Sequence, residues 1–301
     1  MVTLTRADGN WAGDLDLSRR SIAMALAGGY AVAAFSADAE PIHTDETGLV
    51  TEWVQLDAPD RKLPAYVARP AGKGRYPAVL VINEVFGLHE WVKDICRRLA
   101  KDGYVAIAPD YFVRAGDPSK LADFAEIRKI VATATDKQVT DDTAAAIKFL
   151  KAAPYVDAKK MAVTGFCWGG GKVWLTAERF PDFKAAVAWY GPLAPPKTPP
   201  ANDPNAKAPL QLVKDLHAPV LGLYGGKDAG IPQTDVEAMR AALKANGKTG
   251  SEIVVYPDAQ HGFLADYRPS YSPTDGPDGW KKMLAFFAKY GVTPPKVTAK
   301  A

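Results

Sequence analysis

From about Thr51 onward the chain alternates short β-rich runs with segments of helical period. Val50 to Leu56 and Leu63 to Arg69 read as an N-terminal hairpin, with Ala58-Pro59-Asp60 supplying the turn. The run Ala78-Val79-Leu80-Val81-Ile82 is continuously apolar, as expected of a strand covered on both faces. Val92, Ile95, Cys96 and Leu99 then follow the i, i+3, i+4, i+7 spacing, which predicts a helix over 89–101 with one inward stripe, ended by Gly103. Tyr104 to Ala108 reads as the next strand, 121–152 as two helical segments, and Met161 to Thr164 as another buried strand. Ala185 to Trp189, Val220 to Tyr224 and Glu252 to Tyr256 complete the strands, with helices over about 233–246 and 279–290. This alternation predicts an α/β protein with a mostly parallel central sheet and helices on both faces.

Two stretches break the rhythm. Pro192 to Leu210 carries Pro192, Pro195, Pro196, Pro199, Pro200, Pro204 and Pro209, a density that excludes helix and interior strand. It is either a plain surface connection or a loop overhanging a site at the carboxyl edge of the sheet. Near the start, Ser18-Arg19-Arg20-Ser21 precedes an apolar run from Ile22 to Phe35 and then Ala37-Asp38-Ala39. That order resembles a twin-arginine export signal, so cleavage after Ala39 and a periplasmic location are expected, leaving 40–301 as one domain. The alternative is an amphipathic helix on a cytoplasmic protein. The run is short and diluted by Gly28 and Gly29, so no membrane anchor is expected in the mature chain.

Composition narrows the partners. Of 301 residues, 48% are apolar and 24% charged, which excludes a disordered or fibrous chain. Lys plus Arg number 37 against 34 acids, and the resulting +3 does not suggest a nucleic-acid surface. The two cysteines, Cys96 and Cys167, lie 167 − 96 = 71 positions apart, matching neither a disulfide framework nor a zinc spacing. Gly169-Gly170-Gly171-Lys172 fails as a phosphate loop because Phe166 and Val173 occupy required positions, and Lys93 breaks a His89-Glu90 zinc motif. No cofactor and no metal are implied.

The chemistry gathers at Gly165-Phe166-Cys167-Trp168-Gly169, between a predicted strand and a predicted helix. This has the form of the nucleophile elbow G-x-S-x-G with cysteine in place of serine. Glycines flank such a turn because larger side chains there would strike the neighbouring chain, and the first helix amides would favour a thiolate and then an oxyanion. A buried structural thiol is the ordinary alternative. An acid and a histidine should follow in chain order, each after a later strand. Asp228, in Gly225-Gly226-Lys227-Asp228, and His261, in Asp258-Ala259-Gln260-His261-Gly262, meet that requirement. Asp258 is a rival acid, His89 opens a helix just after Gly87 and so could approach the pocket, although a helix-start histidine is more often a surface residue, His217 enters a strand at its other end, and His43 is near the expected cleavage point.

These residues resemble the dienelactone hydrolase family of the α/β-hydrolase fold, over about 51–291. The resemblance rests on Asn83-Glu84-Val85-Phe86-Gly87, Ala108-Pro109-Asp110-Tyr111, the cysteine elbow, Gly225-Gly226-Lys227-Asp228 and His261-Gly262-Phe263. It implies a triad of Cys167, Asp228 and His261, with Glu84 contacting the resting cysteine and helping to deprotonate it. It further implies an anionic enol-lactone as the small-molecule substrate. Arg114 matches one family arginine, Arg268 is either a second candidate for the substrate carboxylate or a structural residue, and Tyr190 could line the pocket. The expected reaction is acyl transfer through a thioester, with the amides of Trp168 and Val85 as oxyanion donors. A thiol carboxylesterase, a non-catalytic binding protein and a redox-sensing thiol are the competing readings.

Overall fold

The computed structural model describes residues 2–4, 15–17, 42–198 and 200–295. Apart from Val2–Leu4, which pairs antiparallel with Leu15–Leu17, the expected export segment lies outside the described residues.

The remaining strands form one eight-stranded sheet. They are β1 (Leu49–Asp57), β2 (Lys62–Pro70), β3 (Tyr76–Ile82), β4 (Val105–Pro109), β5 (Val156–Phe166), β6 (Ala185–Trp189), β7 (Val220–Gly225) and β8 (Glu252–Tyr256). Their spatial order is β1-β2-β4-β3-β5-β6-β7-β8. β2 runs antiparallel to β1 and β4, and every other pairing is parallel. The predicted hairpin and the predicted parallel core are both present.

The helices are α1 (Glu90–Lys101), α2 (Phe124–Thr133), α3 (Asp136–Ala152), α4 (Trp168–Arg179), α5 (Gln233–Ala245) and α6 (Asp275–Lys289). Side chains alternate across a strand, so β3 supplies both faces of the sheet. Ala78, Leu80 and Ile82 join a core with Leu150 of α3, Trp174 of α4 and Met239 of α5. Val79 and Val81 join the opposite core with Trp91 and Ile95 of α1 and Phe287 of α6. This is why the run reads as unbroken hydrophobicity.

Two elements differ from their expected bounds. β5 begins at Val156, where Tyr76 pairs with Val156 before a shift in register, so its polar first half shows no buried-strand pattern. α6 begins at Asp275 rather than near 279. Its first turn holds Gly276, Pro277 and Gly279, poor helix formers in an interior but tolerable at the start, where Ser272 Oγ accepts from the Asp275 N–H at 3.1 Å. The Pro-rich segment is anchored inward: Leu193 is buried, the Asp136 N–H donates to Asp203 at 2.6 Å, and Asn202 Nδ2 donates to the Ala132 carbonyl. Pro199 lies outside the described residues.

Topology places the site. From β3 the chain crosses to β4 on one side and then returns to β5 on the other, so β3 and β5 form a switch point, beyond whose carboxyl ends open α/β sheets bind their ligands. Ile82 of β3 is in register with Gly165 of β5, so Glu84 and Cys167 each emerge two residues beyond a paired position.

Candidate active site

Cys167 caps α4 with φ 55° and ψ −121°, a strained conformation for a non-glycine residue, and its N–H donates to the Trp189 carbonyl at 3.0 Å. The flanking glycines have the expected steric cause. A Cβ on Gly169 would stand 2.4 Å from the Ile82 carbonyl oxygen, and one on Gly165 would stand 2.8 Å from that of Gly169. The bend therefore fits only against the end of β3. Trp168 opens α4 and packs on Phe112 and Tyr111, and the N–H groups of a first helical turn have no acceptor within the helix.

His261 and Asp228 arrive from the adjacent strand ends, since Gly225 at the end of β7 is paired with Tyr256 at the end of β8. His261 Nδ1 and Asp228 Oδ2 are 2.7 Å apart, and the other Asp228 oxygen accepts from the N–H groups of Gly230 and Ile231 at 2.8 and 3.1 Å. Asp258, the rival acid, is exposed and paired with Lys227 at 2.7 Å. Burial alone would push the Cys167 thiol up. The His261 charge and hydrogen bond, with Arg268 behind them, bring it below the ordinary thiol value against the opposing charge of Glu84. Burial likewise disfavours charge on His261, yet Cys167 and Asp228 raise it to about 9. The two shifts run in the directions that favour negative charge on the sulfur and positive charge on the imidazole.

Glu84 is fully buried. Arg268 Nη2 donates to its Oε1 at 2.8 Å, the Tyr267 hydroxyl donates to Oε2 at 2.6 Å, and His89 Nε2 is 3.4 Å from Oε2. Burial would raise this carboxyl, but the Arg268 charge, His89 and Tyr267 hold it at about 2. The expected Glu84 is thus neighbour to Cys167 through its charge, while its hydrogen bonds run to Arg268 and Tyr267. Val85 follows it and is half-buried. The Asn83 amide fixes this loop by donating to the Glu84 carbonyl at 2.7 Å.

Three expectations need correction or extension. Arg114 is not presented as a substrate cation: its guanidinium donates to both oxygens of Asp60 and both of Asp142 at 2.7 to 2.8 Å. It ties β1–β2 turn residue Asp60 to α3. Arg268 does reach the site, but as the counter-charge of Glu84. His89 is not a surface residue; it is packed against Tyr267, Trp91 and Phe86 and faces Glu84. Tyr267 was not anticipated, since one aromatic in a long loop after the histidine carries no periodic signal. Tyr190 is buried at φ 38°, its ring 5.0 Å from that of His261, and its hydroxyl has no hydrogen-bond partner among the described residues. His43 is exposed and His217 lies ahead of β7 at the opposite sheet edge. Cys96 is buried in the α1 core, where burial pushes its thiol up, away from redox reactivity.

The sheet order, the switch point and the elbow define an α/β-hydrolase fold. The dienelactone hydrolase family profile matches residues 63–291, and the chain belongs to that family. It is therefore a hydrolase of ester or lactone bonds. A Methylorubrum extorquens protein named "Putative carboxymethylenebutenolidase" is 45% identical over 287 residues, covering 93% of this chain and 96% of that one. A Bradyrhizobium protein named "Probable 2-oxo-3-(5-oxofuran-2-ylidene)propanoate lactonase" is 30% identical, covering 79% and 94%. A crystal structure titled as a "Putative Dienelactone Hydrolase" from Klebsiella pneumoniae matches with a TM-score of 0.75 at 46% identity, covering 80% of this chain and 99% of that one.

Proposed function

We propose that the protein opens enol-lactones of the dienelactone type through a Cys167–His261–Asp228 triad and a thioester intermediate. The observation that carries this reading is the strained Cys167 elbow beside an imidazole that is itself bound to Asp228 at 2.7 Å. In this mechanism the Cys167 thiolate attacks the lactone carbonyl carbon, forming a C–S bond while the carbonyl pair moves to oxygen. The amides of Trp168 and Val85 donate to that oxyanion. Collapse breaks the ring C–O bond, the pair departs on the enolate oxygen, and His261 supplies its proton. His261 then takes a proton from water, whose oxygen attacks the thioester and releases the acid and the thiolate. An enolate is a better leaving group than an alkoxide, so it departs before the equally good thiolate is expelled. Activated esters and enol-lactones should therefore be turned over well ahead of simple alkyl esters; equal turnover of both classes contradicts the scheme.

Anionic substrates are proposed on the strength of Arg268, for which a substrate carboxylate would compete with Glu84; Tyr190 would line the same space. A second reading, a thiol carboxylesterase of neutral activated esters, is favoured by the commitment of Arg114 and Arg268 to carboxylates. Kinetics on an enol-lactone with and without its carboxylate, beside p-nitrophenyl esters, separates the two. An active wild type and an inert Cys167→Ala variant support the triad, and no hydrolysis of any of them supports a binding protein. Residues 1–39 are proposed as a twin-arginine export segment, on the Arg19-Arg20 order alone, with cleavage leaving Glu40 first. Amino-terminal sequencing of the protein from its native host tests this, and an intact Met1 removes it.

A further inference from the structure

Residues 42–47 lie as a strap across α1, and its polar contacts lead to the loop that carries His261 and Arg268. The Ile42 N–H donates to Asp266 Oδ1 at 3.4 Å, and Arg98 Nη2 donates to Asp266 Oδ2. Arg98 Nε also donates to Asp94 Oδ2 at 2.6 Å, and the other Asp94 oxygen accepts from the Thr44 N–H and from Arg97 at 3.0 Å. Arg97, 2% exposed, continues to Glu90, which His43 also meets at 3.1 Å. Lys101 fastens the end of the strap through Asp45 and the Thr47 carbonyl, both at 2.8 Å. The Asp266 side chain is 4% exposed and that of Asp94 fully buried. Charges this deep hold defined positions because leaving any one unpaired is costly.

Asp266 is followed directly by Tyr267 and Arg268, the two donors to Glu84. The loop is folded on itself at its other end, with the Ala265 N–H on the Gly262 carbonyl at 2.8 Å and the Arg268 N–H on the Ala265 carbonyl at 2.9 Å. His261 and Arg268 thus sit at the two ends of one short folded unit, which Asp266 ties to α1 and to the strap.

We propose that Asp266, held by Arg98 and by the 42–47 strap, is a positioning residue that sets the His261–Arg268 loop in its working geometry. The proposal rests on the triad reading above. Asp266 touches no reacting atom; it acts through Arg268 on Glu84, and through the loop on His261. The strap supports the catalytic unit in this sense through its contacts with α1.

Asp266→Asn in the full-length chain removes the charge that meets Arg98 while keeping the side-chain size. Thr44→Pro, on the outer strap, removes the N–H to Asp94 without touching the loop. Both variants are expected to lower kcat about tenfold with KM nearly unchanged, as for a small misplacement of catalytic groups. Both should also shift the pH dependence of Cys167 alkylation by iodoacetamide, and Asp266→Glu should recover part of the rate. Unchanged kcat and an unchanged alkylation profile in Thr44→Pro and in folded Asp266→Asn overturn the proposal. So does a loss of rate that follows the loss of folded protein in thermal melts. Failure of the triad reading is separately visible, because Cys167→Ala would then retain hydrolysis.

Discussion

At the scale of the residue, the Cys167 thiol is governed by charges of both signs within one buried cluster. His261 and Arg268 lower the Cys167 thiol and Glu84 raises it, so the variants move it in opposite directions. The rate of iodoacetamide alkylation against pH should show its midpoint moved up in His261→Ala and down in Glu84→Gln. Glu84→Gln also leaves the Arg268 charge without its partner, at a cost of about 3–5 kcal/mol measured by urea unfolding. Because folding lowers the Glu84 carboxyl from its ordinary 4.5 to about 2, its contribution to stability is complete above the ordinary value and is lost as pH falls from 4.5 toward 2. The variant should lose that slope. Cys167, Asp228 and His261 were legible in the sequence because strand ends and chain order announce them. Tyr267 and the partly buried His89 were not, since their placement beside Glu84 comes from packing between distant loops.

At the scale of the element, the elbow depends on the absence of two methyl groups. Gly169→Ala should cost at least about 3 kcal/mol, because its Cβ meets the backbone of β3. Gly247→Ala, at φ 64° with no described residue within 4 Å of the added carbon, should cost only about 1 kcal/mol, which chemical denaturation resolves. Arg114→Ala should cost about 3 kcal/mol by stranding the buried Asp142, with no change in the preference between anionic and neutral substrates. A preference lost in that variant would restore Arg114 to the substrate site. The parallel strands were readable because burial on both faces makes them uniformly apolar. The start of α6 was hidden by Gly276 and Pro277, and the fastening of the Pro-rich segment to 132–136 depends on side chains far away in sequence.

At the scale of the whole molecule, the opposite edge of the sheet holds a carboxyl unrelated to the chemistry. Glu178 of α4 is 3% exposed with neither oxygen partnered among the described residues, and burial pushes it up to about 9 in spite of Arg179. The folded state keeps this proton where the unfolded chain has lost it, so stability falls as pH rises from 4.5 to about 9. Glu178→Leu should raise the melting temperature more at pH 8 than at pH 5, with hydrolysis unchanged.

The central claim is that Cys167 carries the acyl group. Intact-mass spectrometry of the enzyme quenched during turnover of an enol-lactone, followed by peptide mapping, reads this directly. An adduct of the whole substrate mass on the Cys167 peptide, absent in Cys167→Ala, is the predicted result. Rapid hydrolysis by Cys167→Ala, or an adduct on another residue, would contradict the account.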